Sequence, residues 1–189
     1  MTETTTNMQF YLYRPDADSY NGFGLRAEDR HIIDMHWKTE PMLRTWRVPQ
    51  MHPLDDNPGV DGDFPSLIDY NMIPLFTQRA WDVLNPLIGH CCEALPIMVS
   101  GCGPLYLINV MEIIHCVDET QSELVRNAAT GRVSRVVNYF LKTELLHGKH
   151  IFKTPLQSGS DLLISHEVRR LVEGHGLKGL VFNPIPTVD

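Results

Sequence analysis

The segment Leu105 to Ile114, LYLINVMEII, constrains the fold of this chain more than any other. Apolar residues run through it almost without a break, yet it is half the length of a membrane-spanning helix, which needs about 20 apolar residues, and it contains Asn109 and Glu112. A strand that is apolar on both sides must be covered on both sides, so the segment predicts a central strand in a layered fold.

The flanking sequence supplies the rest of a sheet and its cover. Met8 to Arg14 alternates apolar and polar residues as a first strand does, and Pro15 opens a polar turn that ends in Gly22 and Gly24. Further strands are expected near Leu43, at Ile97 to Val99, through Val133 to Lys142, at His150 to Lys153 and at Leu180 to Phe182. On this reading the sheet lies mostly late in the sequence, and Pro184 and Pro186 end the ordered chain. Asp118 to Gly131 is polar and reads as a loop or short helix.

Two helices carry start and stop signals. Thr77 is a good N-cap, Ala80, Trp81, Leu84, Leu87 and Ile88 recur on one face, and Gly89 stands where the helix should end. Ser165 caps the second, with Val168, Leu171 and Val172 inward and Gly174 and Gly176 beyond them. Trp81 reads as a core residue. The expected class is α+β: a single domain with a mixed or antiparallel sheet and a few packed helices, spanning 8–189 behind a flexible leader at 1–7. A chain of 189 residues with 43% hydrophobic and 21% charged composition has the makings of one folded core.

Charge narrows the partner. A net charge of −7 disfavours a general nucleic-acid binder, which needs a basic footprint to displace counterions from phosphates. Pro49 to Pro65 has four prolines, two glycines, Asp55, Asp56, Asp61 and Asp63, and no Lys or Arg, the composition of an exposed acidic loop. With Asp69 it concentrates negative potential suited to steering a basic protein partner, and Asp55, Asp56, Asp61, Asp63, Asp69 and Tyr70 are the candidate partner-binding residues. Tyr20 and Phe23 are further candidate aromatic anchors. The Thr-rich start lacks the basic and apolar regions of a secretory signal, and the cysteines lie in apolar surroundings, so a cytoplasmic protein with buried thiols and no membrane insertion is expected.

Catalytic and metal constellations are weak. His90, Cys91, Cys92, Cys102, His115 and Cys116 are residue types that zinc accepts, and they define the alternative of a metal-binding protein or enzyme; their spacing contains no C-x₂-C pair. His147 and His150 straddle Gly148 in a turn, and His31, Asp34 and His36 lack a third convergent group. Val99-Ser100-Gly101-Cys102-Gly103 is a small-residue turn rather than a nucleophile elbow. No catalytic, cofactor-binding or metal residue is assigned, and no cofactor is expected.

Several segments in order carry a family resemblance: Leu75-Phe76-Thr77 through Trp81-Asp82-Val83-Leu84, Leu95-Pro96-Ile97, Tyr106-Leu107-Ile108-Asn109-Val110, and Ile164-Ser165 through Gly176-Leu177-Lys178-Gly179-Leu180-Val181-Phe182. Together they resemble the bacterial polymorphic-toxin immunity family numbered eleven, long catalogued as a domain of unknown function and typified by a myxobacterial protein. The resemblance spans roughly Phe10 to Pro184. It implies a non-enzymatic protein, made beside a toxic effector, that protects its producer by binding that toxin. It transfers no site residue, because the shared motifs are capping, packing and turn signals.

Overall fold

The computed structural model describes residues 8–29, 39–68, 73–155 and 161–188. Along the chain run β1 (Phe10–Leu12), β2 (Gly22–Leu25), β3 (Gln50–Pro53), β4 (Ser66–Leu67), β5 (Leu75–Thr77), α1 (Gln78–Ile88), β6 (Cys92–Val99) and β7 (Leu105–Val110). They are followed by β8 (Glu123–Arg126), β9 (Val133–Asn138), β10 (Leu141–Lys142), β11 (Ile151–Lys153), β12 (Leu162–Ser165), α2 (His166–Gly174), β13 (Pro184–Ile185) and β14 (Thr187–Val188). The fold is a single α+β domain with mixed and antiparallel sheets.

Six strands form one sheet in the order β4-β2-β3-β6-β7-β5, and four form another in the order β11-β12-β1-β13. The β6–β7 hairpin holds the first sheet together, with Cys92 opposite Val110 and Ile97 opposite Leu105. β7 lies between β6 and β5 and is buried along nearly its whole length, as its apolar sequence demands, although it stops at Val110 rather than Ile114. Both helices start where their caps place them. The Thr77 hydroxyl accepts from the Ala80 N–H at 3.2 Å and the Ser165 hydroxyl from the Val168 N–H at 3.4 Å. Each bond satisfies a donor that the first turn otherwise leaves without a partner.

Three apolar clusters fill the interior. The middle one gathers Leu84 and Ile88 of α1, Val168 and Val172 of α2, and Phe64, Phe76 and Ile108. A second packs Phe23, Met51, Leu67, Leu95 and Leu107 within the six-stranded sheet. The third joins Phe10, Phe152, Leu163 and Ile185 of the four-stranded sheet to Val133 and Val136 of the β8–β9 hairpin. Trp81 rests against the middle cluster only half-buried, so it is a cover for the core and not its centre.

Other expectations change. Leu43 opens a 3-10 turn, Leu43–Thr45, rather than a strand. Gly22 and Gly24 are not the end of a turn but lie within β2, where a Cβ would collide with the Ser66 and His52 side chains respectively, so the glycines permit close strand approach. Because β2 to β7 all precede residue 111, the sheet is not mostly late in sequence. The polar stretch 118–131 contains β8, whose Leu124 faces Val136 across the hairpin and packs on the third cluster. Leu180 to Phe182 is not a strand; ordered pairing continues beyond Pro184, with β13 antiparallel to β1 and β14 parallel to β10. β13 lies at the edge of its sheet, where proline's missing N–H breaks no ladder.

Candidate functional site

The acidic loop leaves β3 after Pro53 and is held to the start of β2 by two asparagines. Asn57 accepts from the Gly22 N–H at 2.7 Å and donates to the Gly22 carbonyl at 3.1 Å. Asn21 accepts from the N–H groups of Gly59 and Val60 at 2.9 and 3.1 Å, while its own amide donates to the Asp61 carboxylate at 2.9 Å. These bonds occupy backbone groups that a loop without regular structure would otherwise leave to water. Asp55, Asp56 and Asp61 are exposed.

Asp63 is not part of that exposed surface. It is 8% exposed, and its carboxylate accepts from Arg79 at 3.0 Å, from the Thr77 hydroxyl at 3.1 Å and from the Lys178 N–H at 2.9 Å. It ties the loop to the start of α1 and to the segment after α2, a structural duty that composition alone does not distinguish from surface charge. Phe23 is buried in the second cluster, so it is no surface anchor, and Tyr20 is half-buried. Asp69 and Tyr70 lie outside the described residues, as do His31, Asp34 and His36.

Beside the loop is a cleft of about 360 Å³, between Asp61 and Gly62, Asn21 and Phe23 of the β2 region, the first turn of α1, and the Gly101 to Leu105 turn of the β6–β7 hairpin. Cys102 stands in that turn and is exposed, whereas Cys91, Cys92 and Cys116 are buried. Burial together with the charge of Asp61 pushes the Cys102 thiol up from its ordinary value.

The topology separates the His and Cys residues. Cys91 and Cys92 lie at one end of the β6–β7 hairpin and Cys102 at the other, roughly 20 Å away at about 3.3 Å per strand residue. Cys91 and Cys92 are in contact at 4.0 Å between sulfurs, and Cys91 also donates to the Ile88 carbonyl. The bond to Cys91 and burial raise the Cys92 thiol well above the ordinary range. Cys116 belongs to the third cluster, where burial pushes its thiol up to about 12, so it too is a packed thiol. His90 and His115 are exposed. Among the described residues no group of three or more His, Cys, Asp or Glu is placed to hold a metal ion. His147 is exposed, and His150 is within 3.0 Å of the Ser165 hydroxyl and 3.8 Å of Glu167, beside the α2 cap.

Residues 100–187 match the immunity protein family Imm11. This is the family that the capping, strand and tail motifs resemble, and no curated protein matches the chain. The Imm11 segment begins in the cleft-lining turn and runs through β7, the β8–β9 hairpin, the four-stranded sheet's late strands and α2. It contains none of the acidic loop. The match of this segment to an immunity protein family suggests toxin immunity as the function class. Among the described residues, no helix is long and apolar enough to cross a membrane.

Two features escape sequence reasoning: the Asn21 and Asn57 clamp, and Lys153, a residue with 0% exposure in β11 whose burial lowers its ammonium to about 8. The signal available for the first was a pair of asparagines beside glycines, which is turn chemistry. No local pattern marks the second.

Proposed function

We propose that this protein is an immunity protein that neutralises a cognate bacterial toxin by direct stoichiometric binding in the cytoplasm, without catalysis and without a cofactor. The Imm11 match over residues 100–187 is the observation that carries the proposal. The toxin is encoded nearby, and its contact surface is basic.

The recognition surface is centred on Asp55, Asp56 and Asp61, which are exposed on a loop whose backbone is pinned by Asn21 and Asn57. A pinned loop loses less conformational freedom on binding than a loose one. Clustered carboxylates raise the encounter rate with a basic partner and make it depend on salt. Asp63 stays with the fold, and the charge argument does without it.

Titrating toxin activity with this protein separates binding from catalysis. Loss of toxin activity should proceed linearly to a break at one equivalent and return when the complex is dissociated. Inactivation of many toxin molecules by one molecule of this protein would instead mean an enzyme.

A further inference from the structure

We propose that the cleft between the acidic loop and the β6–β7 turn is a socket for a single lysine or arginine side chain of the toxin, held at its charged end by Asp61. This rests on the immunity reading and specifies how the partner is engaged.

Both signs of charge surround the cleft, so the sign of its occupant must be argued. Arg79 lines it, and so does the N-terminal turn of α1, and both would favour an anion. Most of the donors in question are already engaged. The Arg79 guanidinium is paired with Asp63 at 3.0 Å and also donates to the His175 carbonyl at 2.7 Å. The Gln78 N–H bonds the Pro104 carbonyl at 3.2 Å and the Ala80 N–H bonds Thr77. Among the described residues Asp61, by contrast, accepts from an uncharged amide, that of Asn21, and forms no ion pair. The negative charge left over is that of Asp61, which lines the cleft together with Cys102 of the opposite wall.

The walls fit the rest of the side chain. Phe23, Pro65, Pro104 and Leu105 supply apolar surface, the kind of lining along which the methylene stem of a lysine or arginine packs while its head stays polar. The wider field agrees. Before residue 100 there are 14 of the 23 Asp and Glu residues and 7 of the 16 Lys and Arg residues, so the entire net charge of −7 lies in that part, and the part after it is balanced.

Gly103 and Cys102 make the socket testable. Gly103 lines the cleft, and a Cβ on it would have no atom within 4 Å, so Gly103→Trp adds bulk to the cleft wall at a position that tolerates a side chain; Gly101, at φ +82°, does not offer this. Asp61→Asn removes the charge and keeps the shape. With the product of the adjacent gene as the probe, the wild-type complex should shield Cys102 from maleimide labelling by more than about tenfold. Asp61→Asn should weaken binding by about tenfold, and Gly103→Trp by about a hundredfold, as expected when a buried interface anchor is lost. Circular dichroism and melting of both variants should match the wild type. A wild-type complex in which Cys102 labels at its free rate, or in which Gly103→Trp binds within twofold of wild type, overturns the socket and leaves the immunity function standing. If the wild type neither binds the probe nor protects against it, the immunity reading falls and takes the socket with it.

Discussion

The two ends of the molecule are built to different plans. At the acidic end, the six-stranded sheet carries a ten-residue loop, Leu54 to Asp63, whose backbone is tied down by asparagines while Asp55, Asp56 and Asp61 face outward. At the other end, the four-stranded sheet and the β8–β9 hairpin enclose Phe10, Phe152, Leu163 and Val136, and charge is balanced. The Imm11 match covers the second end apart from β1, takes in β7 of the six-stranded sheet, and omits the loop. Both parts pack, but the part that carries the net charge lies outside the match. Under the proposed function, that division lets the recognising surface change without touching the scaffold.

The largest test of this contrast is a truncation at the scaffold end. Phe152 is fully buried and meets Phe10 edge-on at 5.6 Å, so Phe152→Ala should cost about 3–5 kcal/mol in urea unfolding. The association rate of the molecules that remain folded should not change. A slower rate per folded molecule would break the division between the two ends.

The buried Lys153 gives the next largest effect, and it depends on pH. Its folded value of about 8 lies below the ordinary 10.5, so the unfolded chain binds more protons between those values, and through this group stability rises as pH climbs across that window. Lys153→Met should therefore be more stable than wild type at pH 7.5, and the gap should close by about 2 kcal/mol by pH 9.5. Denaturation of both proteins at the two pH values checks this; a constant gap would mean that the lysine is not desolvated as its burial implies.

Caps allow a matched comparison, since Thr77 begins α1 beside the cleft and Ser165 begins α2 within the Imm11 segment. Thr77→Ala and Ser165→Ala should each cost about 1 kcal/mol of stability. Only Thr77→Ala, which also removes a donor to Asp63, should alter toxin affinity. Equal effects of the two on affinity would argue against a localised recognition surface.

The smallest effect on stability, within about 0.5 kcal/mol, is expected for the triple change of Asp55, Asp56 and Asp61 to Asn, because exposed charges contribute little to folding. Its consequence is kinetic. Association with the toxin should slow by roughly tenfold at low salt and lose most of its salt dependence. Asp63 is excluded from this set, since its loss would release Arg79 and confuse a folding defect with a binding one.

How far the sequence carries depends on the range of the forces involved. Thr77 and Ser165 were legible as caps because a cap bonds the backbone three residues away, and β7 was legible because both of its faces are apolar. Gly22 and Gly24 look like turn residues locally, and only the approach of Ser66 and His52 from other strands shows why glycine is needed. Pro184 reads as a terminator until its strand is seen at a sheet edge. The same holds at the candidate site. Asp55, Asp56 and Asp61 are exposed as loop composition suggests, but the burial of Asp63 depends on Arg79 and on Lys178, 115 residues away in sequence. The separation of Cys91 and Cys92 from Cys102 follows from the length of β6, which starts at Cys92 where the apolar pattern marks only Ile97 to Val99.

Growth rescue tests the central claim most directly. The adjacent gene is expressed under tight control in a sensitive host, with this protein supplied in trans, and the two products are purified together. The expected result is arrest without this protein, full growth with it, and a one-to-one complex. A toxic neighbour that this protein neither rescues nor binds would contradict the account for that pair.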